Sequence, residues 1–380
     1  MKYRYYFLLL FFLSLSFAAM AQSVGVGTTA PNASAVLDVT STTGGMLLPR
    51  MTAAQRAAIP SPVQGLFVFQ TDGTPGLYYY VGNSWVNVVN GLVPDVNGNA
   101  GANPTTRVST LAGSTRGYVD GTGAAAQFYG PSGVAVDGSG TVYVADQYNQ
   151  RIRKITATGV VSTLAGSGVT NSMGNTPGGY ADGTGVAAQF DNPTGVAVDG
   201  TSNVYVADQY NQRIRKIVVA TGEVTTLAGS TQGYADGTGA AAQFNNPKGV
   251  AVDGSGNVYV ADQNNHRIRK IVVATGVVST LAGSTAGYAD GTGAAAQFNN
   301  PKGVAVDGSG TVYVADGNNQ RIRKITATGV VSTVAGTGTV GYAEGTGAAA
   351  QFNSPYGVAV DGSGTVYVAD QSNNRIRVVK

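Results

Sequence analysis

The chain has 380 residues, 55 of them glycine, with 11% charged residues, a formal net charge of +3 and no cysteine. Without cysteine there are no disulfides, thiolate metal sites or cysteine nucleophiles, and a single histidine, His266, leaves no multi-histidine zinc site within one chain. So small a net charge gives no electrostatic footprint for nucleic acid, and much glycine with few charges suits a turn-rich β protein, because glycine supplies the positive-φ positions of tight turns.

The first residues have the layout of a secretory signal. Lys2 and Arg4 precede an apolar run from Phe7 to Phe17, and Ala19-Met20-Ala21 offers a cleavage site. Residues 1–21 are therefore expected to be removed, and the mature chain to begin at Gln22. The apolar run is far shorter than the roughly 20 residues of a spanning helix. A secreted or cell-surface protein is expected, with the periplasm as the alternative, and no membrane insertion after signal removal. Loss of Lys2 and Arg4 brings the formal charge to about +1, which argues against nucleic acid as a partner.

Residues 22–89 contain no copy of the repeat that follows and read as a small β-rich module. A short helix is expected over Thr52–Ala58. The stretch from Gly65 to Val88 reads as a three-stranded antiparallel meander, with turns at Asp72-Gly73 and Gly82-Asn83. Residues 90–106 are rich in Gly, Asn and Pro and read as a linker.

A repeat dominates residues 107–380. GVAVD begins at Gly133, Gly195, Gly249, Gly303 and Gly357, at spacings of 62, 54, 54 and 54. Each copy runs on through a DGSG-type turn, VYVAD, a short polar turn, and RIRK or RIRV. A further run, VSTLAG or a variant, begins at Val108, Val161, Val224, Val278 and Val331. These short β-branched segments bounded by Asp-Gly and Asn-rich turns are four antiparallel strands: a (GVAVD), b (VYVAD), c (RIRKI) and d (VSTLAG). The fold class expected is all-β, a five-bladed β-propeller of four-stranded blades. Strand d at Val108–Gly113 has no a, b or c before it, and the last copy, ending at Lys380, has no d. The reading is that this N-terminal strand completes the last blade and closes the ring. A truncated six-bladed array is the alternative. The GAAAQF piece of each long d-to-a loop, such as Gly239–Phe244, is expected to form one helical turn.

VYVADQNNHRIRKI at Val258–Ile271 resembles an NHL repeat, and five such copies cover about 270 residues. The resemblance implies a β-propeller; many members have six blades, so five is a departure. The N-terminal module resembles one seen in exported, tail-fibre-like proteins of Bacteroidetes.

Four sets of residues are candidates for chemistry. The first is the strand-c arginines Arg151, Arg213, Arg267, Arg321 and Arg375, with Asp146, Asp208, Asp262, Asp316 and Asp370 at the ends of strands b. Five such arginines suit an anionic group, and in some NHL proteins a propeller face meets RNA this way; the favoured reading is that each Asp caps its turn and braces its own Arg. The second is Asp137, Asp199, Asp253, Asp307 and Asp361, a weak calcium alternative in the axial channel against ordinary Asp-Gly turn chemistry. No other cofactor is expected. The third is the loop acids Asp120, Asp182, Asp236, Asp290 and Glu344, in loops that recurring Tyr and Phe are expected to pin. The stretch from Gly166 to Gly179 is about 8 residues longer than its equivalents and breaks the symmetry. The fourth is His266, whose counterparts are Gln150, Gln212, Gln320 and Asn374; it reads as a turn-surface position rather than a catalytic one.

These readings favour an exported, non-enzymatic binding or adhesive protein with the propeller as platform for a protein or glycan ligand. One alternative is a propeller enzyme, a lyase or lactonase-like hydrolase with a divalent metal in the axial channel. Another is a structural spacer of a surface assembly.

Overall fold

The computed structural model describes residues 24–26, 37–39, 46–81, 83–87, 109–168 and 178–380. The expected signal and linker, Val108 and most of the long first inter-blade insertion lie outside the described residues. The chain divides into two compact units, Met1–Val108 and Ser109–Lys380. Among the described residues no helix is long and apolar enough to cross a membrane.

In the first unit, Val24–Val26 pairs parallel with Leu37–Val39. The expected meander is present as Phe67–Gln70, Gly76–Val81 and Ser84–Asn87. A two-residue strand, Arg50–Met51, adds to its edge in parallel to Phe67–Gln70. Two residues are too few to carry an alternation that sequence could reveal. The helix is Ala53–Ala57, started by a capping box: the Gln55 backbone N–H donates to Thr52 Oγ1 at 3.2 Å and the Thr52 N–H to Gln55 Oε1 at 2.9 Å. The helix is tied to the sheet where Ala53 N–H donates to Asp72 Oδ1 at 2.6 Å and Arg56 lies 3.9 Å over the ring of buried Tyr78.

The second unit is all β. In the third blade, strand a is Pro247–Val252, b is Asn257–Asp262, c is Arg267–Val272 and d is Val277–Gly283, all antiparallel in that order. The loop before strand a adds a fifth strand, Gly237–Thr238, paired with strand d through Gly237 and Val278. The first four blades share this pattern, so each sheet has five strands where the repeat suggests four. The expected helical turn of the loop is a 3-10 turn, Gly239–Ala241 in this blade.

Strands a lie innermost, each against the next from the first blade to the fifth. The glycine of GVAVD makes that approach: a Cβ on Gly133, Gly195, Gly249 or Gly303 would collide with backbone of the following strand a. Between blades the core is apolar and continuous. Phe244, from the loop before the third blade, is buried between Tyr205, Ala207 and Ile214 of the second and Val250, Val258 and Val260 of the third. Phe190, Phe298 and Phe352 are equally buried at the equivalent positions, and each such wedge contributes roughly 1.5–3 kcal/mol.

The fifth blade corrects the closure expectation. Its sheet has three strands, Pro355–Val360, Val366–Asp370 and Arg375–Val379. Ser109–Gly113 forms no strand. Ala112 packs instead against the first blade, beside Ala126, Val144, Ile155 and Val161, and Gly113 N–H donates to Gly123 O at 3.0 Å. Local repeat packing thus places the segment, since Gly166, Gly229 and Gly336 make the same bond to Gly185, Gly239 and Gly347. The strand-c edge of the fifth sheet stays open, with Ile376 72% exposed where Ile214, Ile268 and Ile322 are fully buried. Without a strand d as partner, Gly345–Thr346 forms no outer strand. A Cβ at Gly357 would meet only Ala369 of its own blade, and Val134 of the first strand a is 65% exposed where Val196, Val250 and Val304 are 7%. The first and fifth blades do not repeat the contact that joins the others.

Candidate functional site

The end of the sheets that carries the d-to-a loops and b-to-c turns holds most of the charged side chains. Strand pairing sets Pro247 opposite Asp262, so the start of strand a and the end of strand b share this end. Asp262 Oδ2 accepts from Arg269 Nη1 at 2.8 Å and Asn265 Nδ2 at 2.9 Å, and its Oδ1 accepts from the Asn245 backbone at 2.8 Å. Arg269 reaches on to the loop, donating to Asp236 Oδ1 at 2.6 Å and Ala235 O at 2.7 Å. Asp262 and Arg269 are fully buried, and Asp236 is about half exposed. Arg153, Arg215 and Arg323 bridge the same two carboxylates in their blades. In the fifth blade Arg377 holds Asp370 at 3.0 Å, while Glu344 accepts from Tyr342 Oη. Burial pushes the Asp208 and Asp316 carboxyls up to about 6, against the opposing pull of their hydrogen bonds and of Arg215 and Arg323.

The brace is therefore built, but by the second arginine of RIR and not the first. Arg267 sits directly opposite Asp262 in register, yet Arg269, two residues along the same face, reaches back diagonally to the carboxylate. The first arginines stack on loop tyrosines: Arg213 on Tyr180 and Arg267 on Tyr234 at 3.8 Å, Arg321 on Tyr288 at 3.7 Å, Arg375 on Tyr342 at 4.0 Å and Arg151 on Tyr118 at 4.5 Å. Arg151 is buried, Arg213, Arg267 and Arg321 are half-buried, and Arg375 is exposed. All five lie on strand c, third from the axis, so they do not converge on one another there.

The second aspartate series lies in the a-to-b hairpins, at the opposite end of the sheets. Asp199 Oδ1 accepts from Thr201 N and Asn203 N at 2.9 Å, and its Oδ2 from Asn203 Nδ2 and Tyr205 Oη at 2.9 Å. Burial raises its pKa, but these hydrogen bonds outweigh burial and bring it to about 2. Asp137, Asp253, Asp307 and Asp361 close their turns in the same way, each also accepting from a tyrosine. Among the described residues no group of three or more His, Asp or Glu could hold a metal ion.

His266 corrects the turn-surface reading. It is half-buried, at φ 56°, and its Nδ1 accepts from the Asn300 backbone of the next blade at 3.2 Å. Gln150, Gln212 and Gln320 accept from Asn192, Asn246 and Ser354 in the same way. The position links blades, which suits any acceptor of similar reach and explains the tolerance of Gln and His.

A position at this end that changes character between the copies is the residue between the proline and glycine that open strand a. It is Ser132, Thr194, Lys248, Lys302 and Tyr356 in the five blades. Because strands a are innermost, these residues rim the axis, around a cavity of about 220 Å³ lined by strand a of every blade. Ser132 and Thr194 spend their hydroxyls on the next blade, donating to Thr194 O and Lys248 O at 3.0 Å. The lysines cross the mouth instead. Lys248 Nζ lies 4.9 Å and Lys302 Nζ 5.3 Å from the Tyr356 ring centroid, and Lys302 Nζ donates to Ser354 Oγ at 2.7 Å. Neither ammonium group forms an ion pair with a described carboxylate. Burial lowers both lysine pKa values, with the Lys248 charge adding to the fall at Lys302, and burial raises that of Tyr356. Sequence reasoning missed this cluster. The signal was available: within otherwise near-identical copies, this position changes from hydroxyl to ammonium to phenol around the ring.

A family model described as NHL repeat matches residues 128–155, 190–217, 244–271 and 352–379. One described as Teneurin NHL domain matches residues 286–346, and one described as Phage tail like trimerisation region matches 25–105. Protein SUPPRESSOR OF QUENCHING 1, chloroplastic, of Arabidopsis thaliana is 30% identical over 281 residues, 69% of this chain and 26% of that protein. NHL repeat-containing protein 2 of Homo sapiens is 35% identical over 164 residues, 41% of this chain and 22% of that protein. The chain thus spans about a quarter of the length of these curated relatives. A solved structure from Bacteroides thetaiotaomicron, a protein of unknown function, is 25% identical at a TM-score of 0.44 and covers 82% of each chain.

Proposed function

This chain is an NHL-repeat β-propeller protein, and we propose that it is an exported, non-enzymatic binding protein whose propeller presents its axial mouth to a glycan or protein ligand. The observation that carries the reading is a contrast at one end of the sheets. The repeated carboxylates and the second arginines there are consumed by bonds within the fold, whereas Lys248 and Lys302 meet at the mouth without a described carboxylate partner. Binding groups on a rigid scaffold are expected at such a concave, loop-bearing end. Export rests on the signal-like residues 1–21. The N-terminal unit, matched by a trimerisation model, would gather several propellers and raise avidity without new contacts.

Glycan and protein-ligand arrays probed with the mature chain test the reading. Hits that the double variant Lys248→Met/Lys302→Met loses are the expected result. An array without hits, together with a stoichiometric divalent metal in the purified protein, would overturn it in favour of an enzyme. A molecular mass in solution that stays monomeric would remove the avidity component.

A further inference from the structure

We propose that the axial mouth is an oxyanion site: Lys248 and Lys302, both beside the Tyr356 ring, receive one carboxylate, sulfate or phosphate group, free or at the end of a larger ligand. The inference deepens the binding-protein reading and rests on it.

The geometry comes first. Lys248 belongs to the third blade, Lys302 to the fourth and Tyr356 to the fifth, and all three occupy the same repeat position. Both ammonium groups lie near one ring, so the fold brings two like charges to one opening. The ring offers each cation a weak attraction. It does not neutralise either. Elsewhere at this end, the buried second arginines of the first four blades each have two carboxylates, so a pair of cations with no described carboxylate partner departs from the molecule's own pattern.

The rim supports small-anion chemistry in two further ways. The cavity behind the lysines, about 220 Å³, is lined by Gly133, Gly195, Gly249, Gly303 and Gly357 and by valines of the same strands. It has room for a compact group. The valines are low-dielectric walls, which concentrate the field of the two cations at the opening. The hydroxyls of Ser132 and Thr194 are already committed to backbone carbonyls, which leaves the two ammonium groups and the Tyr356 phenol as the polar groups the rim position has to offer. An oxyanion with several acceptor oxygens can take a donor from each lysine at once, and such charge-assisted bonds are stronger than neutral ones.

Calorimetric titration of the full mature chain with inorganic phosphate, inorganic sulfate, glucuronate and glucose tests the proposal at low ionic strength. At least one of the three anions binds and glucose does not. The strongest of the three identifies which oxyanion the mouth prefers. Lys248→Met and Lys302→Met each weaken that binding roughly tenfold, the double variant abolishes it, and Lys248→Arg/Lys302→Arg retains it. Equal binding to wild type and the double Met variant, binding of glucose as tightly as glucuronate, or no anion binding at all would each overturn it. The same variants on the arrays separate the two readings. If anions need the lysines but array ligands do not, the oxyanion site stands and the mouth as platform falls. If array ligands need the lysines and no free anion binds, the platform stands and the oxyanion site falls.

Discussion

The Asp262–Arg269 pair and the Lys248–Lys302 pair lie at the same end of the sheets, and the molecule treats their charges in opposite ways. Arg269 is fully buried, bridges Asp262 and Asp236, and has a counterpart in each of the other blades. Lys248 and Lys302 are half-buried, have no described ion pair, and occupy a position that carries Ser, Thr, Lys, Lys and Tyr. A residue needed to build a blade has to appear in every blade. A residue needed for a ligand on the axis has only to appear once around the ring. Repetition is therefore evidence of construction, and departure from it is evidence of use.

The comparison can be broken at several points, the largest effect first. Asp262→Ala takes one acceptor each from Arg269 Nη1 and Asn265 Nδ2, which keep Gln243 O and Gly233 O, and takes the acceptor of the Asn245 N–H; breaking a buried pair in this way costs about 3–5 kcal/mol. Urea unfolding measures it, and a loss below about 1 kcal/mol would mean that the brace is ornamental. Deleting residues 109–113 removes Ala112 from its cluster in the first blade and costs about 1–2 kcal/mol. Hydrogen exchange should quicken near Val144 and Val161 and stay unchanged across Arg375–Val379. Faster exchange in that last strand would restore closure by the N-terminal segment.

The hairpin carboxylates act next. Asp199 is held at about 2, below its ordinary 3.8. Its stabilisation is therefore complete above about 4 and is lost as the pH falls toward about 2. Asp199→Asn should flatten the pH dependence of stability within that window and leave it unchanged at neutral pH. An unchanged slope would show that the turn hydrogen bonds do not hold the charge. Smallest of all, Lys248→Met and Lys302→Met should change stability by no more than about 0.5 kcal/mol, since neither lysine pairs with a described carboxylate.

Much of this was legible in the sequence and some was not, for physical reasons. Strands a to d, their hairpin turns and the five blades followed from β-branched runs between Asp-Gly and Asn-rich turns. The brace was legible as a type of contact but not as a pair, because Arg267 is the register partner of Asp262 while the diagonal Arg269 has the reach. The two-residue outer strands left no pattern to read. Closure failed on its distant half: Ala112 packs on the blade that follows it in sequence, as Ala165 and Ala228 do, but the pairing with the far end of the repeat array does not form and the fifth sheet keeps three strands. The axial cluster went unread because Lys248 and Lys302 look ordinary in their own copies, and only alignment of the copies shows Tyr356 in their place.

On this reading, repeated charges build the propeller and the unrepeated ones at its mouth bind. The most direct measurement is a single experiment on Lys248→Met/Lys302→Met: the urea midpoint, and the binding of the anion that the wild type prefers, on the same preparation. A wild-type midpoint with binding abolished is the expected result. A lowered midpoint, or binding at wild-type strength, would contradict it.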